Sequence, residues 1–482
     1  MNTIKRFAFI PSMVWVLLVA FTAMGQKSAS KSPNIVLFFI DDLGYGDLSV
    51  TGALGYKTPN LDQLAAEGTR FTNFMAAQAV CSASRAALLT GCYPNRVGIS
   101  GALGPESLVG LNPKEETIAE LLKAKGYATG IFGKWHLGSK QEFLPLQQGF
   151  DEYYGVPYSH DMWPLHPWQK QAQYPPLYWI ENNTSGKEIR NLDEVSELTP
   201  TITEKAVGFI KKNKNKPFFL YVPHPLPHVP LAASKRFKGK SEKGIFGDVL
   251  MELDWSVGEI LKELKSQGLD QNTLVVFTSD NGPWLNYGDH AGSSGGFREG
   301  KGTSFEGGQR EPTIMRWPGV IPAGRISNKL LSTIDILPTL AKLTGAKLPV
   351  EKIDGIEFVD LLKGDDTKTP RQEFLYYYRK NSLEAVRKDN WKLIFPHPGR
   401  SYEVSLPGKD GQPGPTSENH EFPKALYDLT RDPGERYNVL EQHPEIVAEL
   451  EKIADRARED LGDDLQKKEG KNRRSVGVVE RK

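Results

Sequence analysis

The chain has 482 residues, 39% hydrophobic and 25% charged, enough for one large domain with a small one appended or for two to four domain-sized units. Its 60 Lys and Arg against 59 Asp and Glu leave a net charge of +1. That balance excludes a bulk electrostatic pull toward nucleic acid or an anionic membrane and, at this hydrophobic content, a disordered chain. Two cysteines exclude a disulfide-stapled scaffold and a cysteine-rich zinc site.

The N-terminus reads as an address. Lys5 and Arg6 precede an apolar run over 7–21, and Ala23-Met24-Gly25 supplies small residues for a peptidase. The run is shorter than the ~20 residues of a membrane span. Residues 1–25 are therefore expected to be an export signal, giving a periplasmic or secreted protein with no stable membrane insertion. The mature sequence opens with Asn34-Ile-Val-Leu-Phe-Phe-Ile40, and Thr273-Leu-Val-Val-Phe-Thr278 has the same texture. Such runs suit strands buried on both faces of a parallel sheet. Strand-like segments at 127–132 and 217–222 alternate with helix-like stretches at 60–67, 83–89, 117–125, 203–212 and 247–266. The expected fold is α/β, a large mixed or parallel central sheet sandwiched by helices, over residues 33–365. From 366 to 465 the texture changes to an α+β subdomain. Strands at 374–378, 383–386 and 391–395, a Gly/Pro-rich loop at 398–417 and an amphipathic helix at 444–461 are expected there. Residues 466–482 read as a charged tail, frayed in solvent.

Both buried runs end in acids, the first in Asp41-Asp42 and the second in Ser279-Asp280-Asn281. Ligands of an open α/β sheet sit beyond the carboxyl ends of its strands. Three carboxylates and an amide gathered there would repel one another unless a cation neutralised them, and an all-oxygen set suits Ca²⁺ or Mg²⁺ rather than zinc. Either pair alone reads equally well as a turn or helix cap. In Cys81-Ser-Ala-Ser-Arg85, the cysteine and arginine share one helix face with Cys81 at the helix N-terminus, a place that favours an anion. Cys92 cannot bridge to Cys81: an intervening helix at ~1.5 Å per residue separates them by about 16 Å.

The Cys81 stretch resembles the signature of type I sulfatases, formylglycine-dependent and arylsulfatase-like members of the alkaline phosphatase superfamily. In their Cys-x-Pro-x-Arg motif the cysteine is oxidised to Cα-formylglycine; here Ala83 stands where the family usually has proline. The resemblance runs from about residue 33 to 460. It assigns Asp41, Asp42, Cys81, Asp280 and Asn281 to the metal, with Arg85 beside the nucleophile. Gly133-Lys134-Trp-His136 matches the block whose lysine and histidine face the sulfate, and strand alternation places Lys134 and His136 on one side. Tyr158-Ser159-His160-Asp161 is similar to the segment with a serine near the nucleophile. Pro227-His228-Val-Pro230 carries the second histidine, and Gly300-Lys301-Gly-Thr-Ser-Phe-Glu306-Gly-Gly308 the second lysine. The resemblance leaves His160, His166, His224 and His290 without a catalytic position.

The implied activity is a sulfuric ester hydrolase removing sulfate from a sulfated glycan, with a galactose or N-acetylgalactosamine 4- or 6-sulfate favoured. The hydrated formylglycine would be the nucleophile, and a formylglycine-generating maturation enzyme a necessary partner. Trp284 is expected to stack on a sugar, with Asp289, His290 and Arg298 hydrogen-bonding near it. Asp161, Trp163, His166 and Trp168 would lie in a loop closing the same pocket, although a solvated surface loop suits these stretches too. Two other classes share the scaffold: a phosphodiesterase or phosphonate monoester hydrolase, and a non-catalytic glycan-binding protein with an unmodified Cys81.

Overall fold

The computed structural model of the chain describes residues 32–166, 173–403 and 406–480, besides residues 1 and 3. The expected export signal, apart from those two residues, and Trp168 lie outside the described residues. The first strand, β1 (Asn34–Ile40), is buried throughout. Its alternate residues feed two separate cores: Val36, Phe38 and Ile40 enter one, and Ile35, Leu37 and Phe39 the other. That explains the unbroken apolar run, since a strand covered on both faces has no side to make polar.

Among the described residues the sheet has eleven strands. Numbered along the chain, those after β1 are β2 (Thr69–Met75), β3 (Ala128–Lys134), β4 (Glu152–Val156), β5 (Leu177–Glu181), β6 (Thr184–Ile189), β7 (Phe218–Val222), β8 (Thr273–Ser279), β9 (Arg310–Arg316), β10 (Arg325–Ser327) and β11 (Leu331–Ser332). Their order across the sheet is β10-β2-β9-β8-β1-β7-β3-β4-β5-β6, with β11 beside β2. The stretch β8-β1-β7-β3-β4 is parallel, while β9 runs antiparallel between β8 and β2. Helices α1 (Pro59–Ala66), α2 (Cys81–Thr90), α3 (Ile118–Ala124), α4 (Leu198–Asn213), α5 (Ile245–Ser266) and α6 (Ile336–Thr344) supply most of the cover. Among the described residues no helix is long and apolar enough to cross a membrane.

The C-terminal segment forms a second, antiparallel sheet of β12 (Glu373–Tyr378), β13 (Ser382–Lys388), β14 (Trp391–Ile394) and β17 (Ala425–Asp428), in that order. Between the last two runs a separate hairpin, β15 (His397–Ser401) with β16 (Ser417–Phe422). The Gly/Pro-rich loop expected at 398–417 is therefore partly strand. Helix α7 (Pro444–Leu461) starts with proline at a position where no intrahelical N–H is needed. It turns Leu450, Ile453, Ala454, Ala457 and Leu461 onto the sheet. The same cluster takes in Met75, Ala77, Ala87, Tyr93 and Phe305 from the large sheet and its loops, and residues 33–482 make one compact unit.

The expectation of a frayed tail is corrected. Lys468–Glu469 pairs with Gly462–Asp463, and Gly477–Val478 pairs with Val109–Gly110. Arg474 donates to both carboxylate oxygens of Glu115 at 2.7 Å. Two of the charges that suggested a solvated tail, Lys471 and Arg474, have specific partners in Glu459 and Glu115. Cys92 is a packed free thiol there, 3.3 Å from Arg474 Nη2.

One ion pair joins the two sheets' supports. Arg371, just before β12, donates Nε and Nη2 to the two carboxylate oxygens of Asp335 at 2.8 and 2.6 Å, and both side chains are buried. Removing one partner leaves a buried charge uncompensated, at a cost of about 3–5 kcal/mol. Arg371→Leu is expected to lower the denaturation midpoint accordingly, and an unchanged melt would show that the pair adds no net stability.

Candidate active site

Sheet register builds the acidic cluster. Ile40 pairs with Ser279 at the carboxyl ends of β1 and β8, so Asp41-Asp42 and Asp280-Asn281 leave the sheet side by side. The Asp280 amide donates to the Ile40 carbonyl at 3.0 Å, and the Asp42 amide to Asp280 Oδ1 at 3.1 Å. Asn281 Nδ2 donates to Asp42 Oδ1 at 2.8 Å, leaving its own carbonyl oxygen spare. Asp42 holds a left-handed φ of 63°, a strained choice for a non-glycine residue that turns the chain at once after the strand.

Cations surround these acids. Arg85 on α2 donates to Asp280 Oδ2 at 2.7 Å and lies 3.6 Å from Asp41 Oδ1, with all three side chains inaccessible to solvent. Lys134, at the end of β3, donates to Asp41 Oδ2. Lys301 Nζ sits 2.7 Å from Asp42 Oδ1 and 4.4 Å from the centre of the Trp284 ring. Burial lifts the Asp280 carboxyl to about 7, with Asp41 adding to the effect. Asp41 responds oppositely: against burial, Lys134, His228 and Arg85 hold it well below the usual carboxylate range.

Cys81 opens α2, whose ten residues are all buried. Ser84 is the first residue of α2 with an amide bonded back along the chain, to Val80 at 3.0 Å, and Ala83 spends its N–H on the Gly101 carbonyl at 3.2 Å. A proline at 83 would have no such donor. Burial pushes the Cys81 thiol up to about 11 in spite of Lys134 and Lys301 nearby. One ligand atom each from Asp41, Asp42, Cys81 and His228 lie within 4.8 Å of one another.

The two histidines have fixed tautomers. His228 Nδ1 donates to the Val229 carbonyl at 2.5 Å, leaving Nε2 3.4 Å from Ser159 Oγ and 3.7 Å from Asp42 Oδ2. His136 Nε2 donates to the Leu103 carbonyl at 3.0 Å, so the buried Nδ1, which has no partner, carries the lone pair. Burial, then Lys134 and Arg85, hold its pKa well below the ordinary value. His136 does not follow from strand alternation as expected: β3 stops at Lys134, and His136 takes a φ of 61° beyond it. The Leu103 carbonyl had no sequence signal, being a backbone group in a loop.

The remaining expected residues separate. Trp284 borders the site, its ring 5.5 Å from that of His228. Asp161 is buried near His228, with His166 Nε2 3.7 Å from its carboxylate. His290 is partly buried and packs against Gly411. Two residues expected to meet the sugar have protein partners. Asp289 accepts from the Asp410 amide at 2.9 Å, tying two loops together. The Arg298 guanidinium is held by Glu403 at 3.0 and 3.1 Å and by Tyr427 at 3.3 Å, over the ring of Phe305. Among acids the sequence did not single out, Glu311 in β9 is wholly buried with both oxygens unpartnered, and burial followed by Asp280 raises it well above the ordinary value. A carboxylate inside a polar-looking strand gives no sign of this in sequence.

Comparison with known proteins identifies the family. The sulfatase family model matches residues 33–346, and a model of the C-terminal region of aryl-sulfatase matches 370–476. Arylsulfatase A of Bos taurus is 41% identical over 456 residues, covering 90% of this chain and 88% of that protein. N-acetylgalactosamine-6-sulfatase of Canis lupus familiaris is 39% identical over 467 residues, covering 91% and 88%. The crystal structure of PsFucS1 sulfatase from Pseudoalteromonas sp. superposes with a TM-score of 0.79 at 29% identity, covering 88% of this chain and 90% of that one. With a family model over most of its length and relatives near 40% identity along nine-tenths of it, this chain belongs to the sulfatase family and is a sulfuric ester hydrolase.

Proposed function

We propose that this enzyme removes sulfate from a sulfated carbohydrate, through Cα-formylglycine formed from Cys81 and with a divalent cation bound at the acidic cluster. The observation that carries the reading is the convergence of Asp41, Asp42, Cys81 and His228 within 4.8 Å, ringed by Arg85, Lys134 and Lys301. A buried thiol whose pKa is raised to about 11 stays protonated and is a poor nucleophile. That supports a changed chemistry at position 81. The donor set accommodates a hard cation: Asp41 Oδ1 and Asn281 Oδ1 are buried oxygens that accept no hydrogen bond, a costly state that an ion would relieve. Asp41, Asp42, Asp280 and Asn281 would hold Ca²⁺ or Mg²⁺, and with an oxygen in place of the Cys81 sulfur the set is oxygen-rich. The ion, when bound, supplies positive charge for a sulfate oxygen and for the nucleophile.

A sulfate ester is a poor electrophile because its oxygens are already negative, so the site must offset that charge and hold the attacker in line. Lys134, Lys301 and Arg85 provide fixed positive charge. A hydrated formylglycine at position 81 would supply the attacking hydroxyl, its proton passing to a carboxylate of the neighbouring acidic cluster; the new O–S bond would form as the ester S–O bond breaks, and Lys301, or His228 in its protonated form, would give the leaving alkoxide a proton. His136 Nδ1, kept neutral and unpartnered, takes the proton of the second hydroxyl. The C=O bond then re-forms as the carbon–oxygen bond to sulfate breaks. Ser159 Oγ steadies the His228 ring.

The substrate is inferred as a galactose-configured sugar with a 4- or 6-sulfate, a reading supported by the N-acetylgalactosamine-6-sulfatase relative. Trp284, Asp161 and His166 are the residues proposed to meet it. The N-terminal address supports export before action on such a glycan.

Defined sulfated mono- and disaccharides, with aryl sulfate and aryl phosphate alongside, test the reading; preference for the phosphate would overturn it. Cys81→Ala is expected to lose at least about 1,000-fold in kcat without a change in melting temperature. Mass spectrometry of the peptide around residue 81 should find an aldehyde where a thiol is encoded. Exhaustive chelation is expected to abolish turnover and Ca²⁺ or Mg²⁺ to restore it, while full activity in chelator would remove the cation from the mechanism.

A further inference from the structure

Lys301 is a long, flexible side chain on a turn with little secondary structure, yet its ammonium must stay between Asp42 and the Trp284 ring. The next residue, Gly302, has a φ of 80°, a conformation open to few side chains, so the turn is locally soft. Three bonds tie its backbone to other parts of the chain. The Lys301 amide donates to the Pro283 carbonyl at 2.9 Å, and the Gly302 amide to Ala79 at 2.9 Å. These link the turn to the segments following Asn281 and preceding Cys81. The third comes from the far end of the sequence: the Tyr402 hydroxyl donates to the Lys301 carbonyl at 2.6 Å.

Tyr402 is itself held. Its amide donates to Glu299 Oε2 at 2.8 Å, and Ser401 Oγ donates to Glu299 Oε1 at 2.7 Å. Arg400 Nη1 donates to the Tyr402 oxygen at 3.3 Å, leaving the phenolic hydrogen for Lys301. Gly302 is pressed from the same side, because a Cβ there would meet Arg400 Nη1 and Tyr378 Oη at 3.0 Å. Residues 299–301 and 401–402 thus clasp each other through three hydrogen bonds. We propose that Tyr402, just after β15, is a positioning residue that sets the place of Lys301 in the active site.

This rests on the role proposed above for Lys301, and the test separates the two. Tyr402→Phe keeps the ring and removes only the donor. Displacing a reacting group by about 1 Å costs about 100-fold in rate, so kcat for an aryl sulfate should fall about 10- to 100-fold, with KM within about threefold and an unchanged melting temperature. In a Lys301→Ala background the same change should cost nothing further, since both would act through one ammonium group. Glu299→Gln, which weakens the grip on Tyr402 from the other side, should reproduce a smaller kcat loss. Crystal structures of the wild type and Tyr402→Phe provide a readout independent of turnover, in which the variant should lose the Lys301–Asp42 contact. Wild-type kcat in Tyr402→Phe, losses that add fully to those of Lys301→Ala, or an unmoved Lys301 would each overturn the proposal. If Lys301→Ala alone leaves turnover intact, the role of Lys301 falls instead, and the crystal structures still decide whether Tyr402 places it.

Discussion

Parallel pairing of β1 with β8 forces like charges together. Because Ile40 and Ser279 are partners, the residues that follow, Asp41-Asp42 and Asp280-Asn281, have no choice but to emerge at one edge. Three carboxylates so close, in a region closed to water, are untenable without counter-charge. The rest of the architecture answers that demand: Arg85 comes from α2, Lys134 from β3, and Lys301 from the turn after β8. Asp41 Oδ1 and Asn281 Oδ1 accept no hydrogen bond even so. The repulsion that would unfold an ordinary core is offset here by buried cations, an arrangement that suits the divalent ion and the sulfate ester proposed above.

The second sheet is part of the same construction. Its apolar face shares a cluster with Met75, Ala77 and Ala87, while Tyr378 packs against Val80, Cys81 and Ala83. A buried polar array lies nearby: Glu306 accepts from Tyr376 at 2.8 Å and from Lys392 at 3.2 Å, and Lys392 also reaches Glu435 at 2.7 Å. Glu306 belongs to the same block as Lys301, so the block is gripped at both ends by residues encoded about a hundred positions later.

Legibility in the sequence followed burial. Strand β1 was plain because both its faces are covered and every residue after Asn34 is apolar. Strand β9 was hidden: Arg310-Glu-Pro-Thr carries polar groups and a proline, and Pro312 is accommodated only by a bulge between Glu311 and Thr313. Strand β2 was hidden similarly, since Arg70 and Thr72 point to partly open surroundings. Short motifs gave the chemical groups, because Cys81, Arg85, Lys134, His136 and Lys301 stand in recognisable blocks. Isolated residues near those blocks carry less information: Arg298 and Asp289 also hold neighbouring loops, through Glu403 and the Asp410 amide. Backbone acceptors such as Leu103, and contacts like that of Tyr402, depend on long-range folding and have no local signature.

The enclosure of Cys81 has a consequence for the order of events in the cell. The side chain is 2% exposed and roofed by Tyr378, a residue translated almost three hundred codons after it. A side chain in a fully buried helix is closed to any enzyme that would modify it. The conversion proposed for this position would therefore have to precede closure of the C-terminal sheet over Cys81. The time between synthesis of the two segments would then set the window for that conversion, and a variant that folded faster would emerge more stable and less active.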